Sequence, residues 1–222
     1  MMKKEIINGI KVPYGLSVAE LAEMCNSGKM SDFVVAAEAL GAKESVESFQ
    51  ILRTYLTDQD YYKRLCALKV IASTKYCSEI AKEIEDALSS SNGLSCRTAL
   101  NIVAKEPVTV SEERIKTALL KCISSDNAHI CYAANKLSVN NENYAFLLKL
   151  FQKSSSCLAQ EILSEILYHR YCKHHEKELF DLFAGSGYGK IRCLAVDIGK
   201  DNGFDISRFK NDCDGHVRDR LK

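Results

Sequence analysis

The residues of this 222-residue chain that could do chemistry are five histidines, ten cysteines and one glycine-rich loop. In His169-Arg170-Tyr171-Cys172-Lys173-His174-His175, a helix would place His169 and Cys172 on one face, two of the ligands that zinc asks for. The segment offers a single cysteine and spans the end of one helix pattern and the start of the next, where basic side chains are expected for the helix dipole alone. No metal is expected there. Gly185-Ser186-Gly187-Tyr188-Gly189-Lys190 invites comparison with a phosphate cradle, in which glycines let backbone N–H groups approach an anion and Lys190 neutralises it. Such a loop follows a strand, whereas a helical pattern (Leu179, Phe180, Phe183) precedes this one, so it reads as a turn between helices. The cysteines are dispersed from Cys25 to Cys213 without any Cys-x-x-Cys pair, and Cys66, Cys96, Cys122, Cys131 and Cys193 sit on or beside apolar stripes. They read as small buried hydrophobes in a reducing compartment. No enzyme and no cofactor is expected.

Composition limits the remaining classes. A hydrophobic content of 46% supports a packed core, and only two prolines, Pro13 and Pro107, interrupt the chain, which favours helices throughout. Lys and Arg number 30 against 29 Asp and Glu, so no net field draws the protein to nucleic acid or membrane, and charge arguments must be local. After Lys3 and Lys4 the apolar run is cut by Asn8 and Lys11, and nothing approaches the roughly 18 apolar residues of a membrane span. A soluble, cytoplasmic protein without membrane partners is the expectation.

The elements that position these groups follow from periodicity. Val46, Phe49, Leu52 and Leu56 recur at helical spacing, Thr57-Asp58-Gln59-Asp60 interrupts, and Tyr61, Leu65, Leu68 and Ala72 resume it. Neither helix buries its stripe alone, so like pairs must stack. Residues 1–16 read as an extended arm, and residues 17–222 as a repeat domain. The first pair turns at Asn26-Ser27-Gly28 and ends at Gly41; later turns fall at Ser89 to Gly93, at Ser124-Ser125-Asp126, at Ser154-Ser155-Ser156 and at Gly185 to Gly189. Aligned second helices place Val34, Arg64, Arg97, Cys131, Leu158, Arg192 and Arg218 in one column with a period of about 31 residues. Glu161 breaks the alanine-rich column three residues further on, which points to a shifted register in the fifth pair. The expected fold is all-α, a right-handed α-solenoid of about seven antiparallel helix pairs.

With Asp60 and Arg64, Asp214 and Arg218, Ile191-Arg192 and Val217-Arg218 at the starts of second helices, the chain resembles the HEAT-repeat family from about Ser17 to Lys222. The resemblance implies an α-α superhelix in which Arg64, Arg97, Arg192 and Arg218 form a structural ladder with turn acids or turn carbonyls of adjacent pairs. It also implies a non-enzymatic scaffold that binds a protein or peptide on the concave face formed by the second helices. The second-helix layer is net positive and the first-helix layer net negative, so an acidic partner is expected, with Lys63, Lys69, Lys105, Lys136, Lys190 and Lys200 as its contacts. The alternative is a nucleic-acid-binding or repair protein on the same face, because one group of alkylpurine DNA glycosylases is built from HEAT-like repeats. Those enzymes use aromatic side chains including tryptophan together with an aspartate; this chain has no tryptophan and offers only Asp197. The absence of a polar capping helix before Lys222 suggests self-association through the C-terminal end.

Overall fold

The computed structural model describes residues 5–123 and 128–222. Lys3, Lys4 and the expected turn Ser124-Ser125-Asp126 lie outside the described residues. Among the described residues the structure is helical apart from one small hairpin, and the chain divides into two compact units, Met1–Arg114 and Ile115–Lys222.

In the first unit, β1 (Ile6–Ile7) pairs antiparallel with β2 (Ile10–Lys11). The expected extended arm is therefore a hairpin. Its reason is local: Asn8 (φ 52°) and Gly9 (φ 80°) both take positive φ, as a two-residue type I′ turn requires, and Asn-Gly tolerates this at least cost. Val12 is buried, and Lys43 Nζ donates to the Tyr14 carbonyl (3.0 Å), which ties the segment after the hairpin to the helix that ends at Lys43.

Helix α1 (Val18–Cys25) opens with a capping box: Ser17 Oγ accepts from Glu20 N, and the Glu20 carboxylate accepts from Ser17 N (2.7 Å). Helix α2 (Met30–Lys43) does not stop at Gly41. That glycine is buried inside it, and a Cβ there would lie 2.4 Å from Val70 Cγ1, so its role is close approach of the helix that carries Val70 rather than termination. The αL residue that ends α2 is Glu44 (φ 50°).

Helices α3 (Val46–Thr54) and α4 (Tyr61–Ala72) follow, the first capped by Ser45 and the second by Asp60. Val46 is exposed, so the stripe begins at Phe49. Helices α5 (Ala81–Ser89) and α6 (Gly93–Lys105) flank a turn in which Asn92 caps α6. Within this unit α1 packs on α2, α3 on α4 and α5 on α6, while α2, α4 and α6 also meet in succession. Leu21, Phe33, Leu40, Ile71, Ile84 and Leu100 are fully buried along this sequence of contacts.

The division between units falls in the first turn of α7 (Glu112–Cys122). In the second unit Ala128–Lys136 is a 3₁₀ helix where an α-helix was expected, with Ile130, Cys131 and Ala134 buried. Helix α8 (Asn141–Lys153), capped by Asn140, packs on α9 (Cys157–Ala184), capped by Ser156. Helix α9 combines the expected second helix of one pair with the first of the next, and the joint is His175 (φ −139°, ψ 30°). Leu158 is exposed whereas Ala159, Ile162, Leu163 and Ile166 are buried, so the aligned column is displaced here.

Helix α10 (Gly189–Asn202) packs on α9, and a Cβ on its Gly199 would lie 2.3 Å from Ile206 Cγ2. Helix α11 (Gly215–Arg220), capped by Asp214, turns Val217 inward. Phe209 is also buried, and among the described residues no large hydrophobic beyond Leu158 is exposed. At the C-terminal end Phe209 and Val217 are thus turned into the unit, while Leu221 is half-buried. No helix among the described residues is long and apolar enough to cross a membrane.

Candidate functional site

The six lysines expected to form one basic face differ in their engagements. In the first unit Lys63 Nζ lies 5.3 Å from the centre of the Phe33 ring and 5.8 Å from that of Tyr55, while Lys69 and Lys105 are exposed. In the second, Lys136 and Lys200 are exposed, and Lys190 bridges Glu165 (3.1 Å) and Glu161 (3.3 Å), which hold its pKa above the ordinary lysine range. The shifted register thus makes Glu161 an ion-pair partner rather than a core residue.

The arginine column serves the turns unevenly. Arg64 donates to the carbonyls of Asp58 and Gln59, in the turn of its own pair rather than an adjacent one. Arg192 donates to the Ser186 carbonyl (3.0 Å) and to both carboxylate oxygens of Asp212 (2.8 and 2.6 Å), joining its own turn to the next. Both side chains are about nine-tenths buried, and the guanidinium beside Asp212 holds its carboxyl down to about 2. Arg218 donates to the Asp212 carbonyl. Half-buried Arg97 has no hydrogen-bond partner among the described residues, so it makes no rung.

Two arginines outside the column do similar work. Arg170 donates to the carbonyls of Ala134 (3.0 Å) and Leu137, at the end of the 3₁₀ helix, and Arg114 to the Glu85 carbonyl (3.0 Å) and Ser89 Oγ (2.6 Å). The available signal for Arg170 was a helix end with unmet carbonyls about 36 residues earlier, which spacing alone does not reveal.

The three chemical constellations are also placed. His175 stacks on Tyr144 with ring centres 3.6 Å apart, and its Nδ1 lies 3.5 Å from Glu178 Oε2, which accepts from Tyr144 Oη (2.7 Å). Burial, followed by Glu178, raises the Tyr144 pKa, making its hydroxyl a donor rather than a base. No group of three or more His, Cys, Asp or Glu side chains that could hold a metal occurs among the described residues. At the glycine-rich loop, Gly189 faces the Asp214 carboxylate so closely that a Cβ would lie 1.8 Å from Oδ2, and an acid at that position repels an anion. Asp197 accepts from Arg220 through both oxygens (2.7 Å each). Burial pushes the Cys25 thiol up to about 11 and Cys131 to about 12, the opposite of nucleophile activation.

One open groove, of about 320 Å³, lies in the first unit where α4, α5 and the turn before α6 meet. Tyr61 forms a wall: its hydroxyl donates to Asn92 Oδ1 (2.7 Å) and accepts from Ser95 Oγ (3.5 Å). The same Asn92 oxygen caps α6 through Leu94 N (2.8 Å) and Ser95 N (3.3 Å), so the cap that starts the helix also holds the ring. Arg64 lies 5.6 Å from the ring centre, and Leu56, Leu65 and Leu68 supply apolar lining. From α5 come Glu83, half-buried, and Asp86, exposed, three residues apart and therefore on one helical face. Neither has a hydrogen-bond or ion-pair partner among the described residues. Tyr62 and Leu94, each two residues after its helix cap, are exposed next to Tyr61 and Ser95 in the chain. Sequence reasoning had taken Tyr61 as a stripe residue and passed over both carboxylates. Compared with models of known protein families the chain matches none, and a comparison with curated proteins returns no significant match.

Proposed function

We propose that the chain is a HEAT-like, right-handed α-solenoid of about seven helix pairs, acting as a non-enzymatic cytoplasmic scaffold that binds a protein or peptide partner. The observation that carries this reading is the groove at α4, α5 and α6: it is open, its aromatic wall is held in place by hydrogen bonds, and its tyrosine and arginine are residue types enriched where proteins recognise partners. The succession of contacts α2 to α4 to α6 supports a repeat arrangement. Asp197 gives little support to the glycosylase alternative, because Arg220 engages both its oxygens.

Partners are sought by cross-linking in cells, and complexes are then rebuilt from purified components. The scaffold reading expects a direct protein complex that survives moderate salt. Duplex DNA, plain and alkylated, is the competing ligand; binding that collapses steeply with salt, or release of alkylated base, would replace the scaffold by the nucleic-acid reading. Charge reversal at Lys69 and Lys136 tests the basic layer, since unchanged partner affinity and salt slope would remove it as the docking surface.

A further inference from the structure

We infer that the first-unit groove is a receptor for an arginine side chain presented by an extended segment of the partner protein. This inference rests on the scaffold reading and deepens it. Three features of the groove converge on that occupant. Its volume, about 320 Å³, admits one long side chain rather than a helix. Glu83 and Asp86 offer two carboxylates on one helical face with no cation of the described residues engaging them, whereas the groove's own cation, Arg64, already donates into the Asp58 and Gln59 carbonyls. Formal charge over the lining is then two acids against one base, which favours a cationic guest.

Shape selects arginine among cations. A guanidinium is planar, donates in two parallel directions to carboxylates and stacks on aromatic faces, and the groove supplies the acids beside the fixed ring of Tyr61. An ammonium matches only the charge. The apolar part of the lining, Leu56, Leu65 and Leu68, then takes the methylene stem of the guest side chain. The acidic partner expected from the lysine layer is thus reversed at this position: the groove recognises a basic one.

The test uses the full chain and capped tripeptides, Gly-X-Gly, with X as arginine, lysine, citrulline or glutamate, followed by two-dimensional amide NMR. Citrulline keeps the shape of arginine and removes its charge. The arginine peptide is expected to shift saturably the resonances of residues around Tyr61, Glu83, Asp86 and Asn92, with a dissociation constant on the order of 1 mM, as suits a single anchoring side chain. Lysine should bind more weakly, and citrulline and glutamate should leave the groove unchanged.

The double variant Glu83→Gln/Asp86→Asn removes no described hydrogen bond or ion pair and only the favourable placement of an acid in the first turn of α5, so it should lower the melting temperature slightly at most while weakening the arginine peptide about tenfold. Equal shifts with citrulline, shifts with glutamate, no shifts with arginine, or an arginine response insensitive to the double variant would each overturn the assignment. Failure of this site is separable from failure of the scaffold: a purified protein partner that binds the double variant as tightly as the parent rejects the groove alone, whereas DNA binding without any protein complex rejects both.

Discussion

The two units build their turns with similar residues and finish with different electrostatics. In the second, arginine and lysine meet carboxylates: Arg192 with Asp212, Arg220 with Asp197, Lys190 with Glu161 and Glu165, and Lys116 with Glu142. In the first, Arg114 lies 3.6 Å from the Glu85 carboxylate, but Arg64, at the turn corresponding to that of Arg192, meets backbone carbonyls alone, and Glu83 and Asp86 on the neighbouring α5 have no ion-pair partner among the described residues. The difference teaches that a turn arginine has two uses. Paired with a buried acid it holds one turn to the next; paired with carbonyls it completes a turn and neutralises no carboxylate.

The most severe way to break the comparison is Arg192→Ala. It leaves Asp212 buried without its counter-ion and the Ser186 carbonyl without its donor, a loss of about 3 kcal/mol in denaturant unfolding. A change under about 1 kcal/mol would make the rung dispensable. Gly199→Ala should cost about 2 kcal/mol, because its Cβ would meet Ile206 at 2.3 Å and Phe180 at 3.0 Å, and the well-packed second unit must shift. Unchanged melting would mean that the interface yields.

Acid sharpens the contrast by a smaller amount. The folded carboxyl of Asp212 titrates at about 2, below the ordinary value of 3.8, so its contribution is complete above that ordinary value and is lost as pH falls through about 2. Allowing for screening by solvent, Asp212 should account for about 1 to 2 kcal/mol lost across that window. Unfolding measured from pH 5 to 2 should show a shallower slope in Asp212→Asn, and parallel curves would remove the linkage.

Arg64→Ala should destabilise by about 1 kcal/mol, less than Arg192→Ala, since only hydrogen bonds to carbonyls are lost. Equal costs in thermal unfolding would erase the distinction between the two uses. Lys190→Ala should change stability by no more than about 0.5 kcal/mol, because the lysine end of its pairs with Glu161 and Glu165 is well exposed to solvent. A larger loss on calorimetry would promote that bridge to a structural element.

Much of the helical architecture was legible because helix starts and stops are written locally. Ser17 with Glu20, Asp60, Asn92, Ser156 and Asp214 each cap the helix that follows. The hairpin is equally local, since its Asn8-Gly9 turn needs only two adjacent positive φ angles, and the extended arm expected there did not include it. Gly41 misled for a different reason: a glycine that ends a helix and one that admits a neighbouring helix look alike until Val70 is found against it. The merged helix α9, kinked at His175, and the 3₁₀ helix at Ala128–Lys136 also departed from the even repeat expected.

By itself, then, the sequence determined the helical class, the caps and most of the apolar stripes, because these depend on neighbours within a few residues and on a period of 3.6. Tertiary structure alone decided which charges are spent. Lys190 meets Glu161 across 29 residues, Arg192 meets Asp212 across 20, and Arg170 reaches the Ala134 carbonyl across 36. A charge column read along the chain counts all of these as available surface. Whether an ion is neutralised depends on distances set by packing, since Coulomb interactions at contact outweigh those a turn away in water. That is why Lys190 counts as free surface charge along the chain but not in the fold, and why Glu83 and Asp86 stand out only once the partners of the other charges are known.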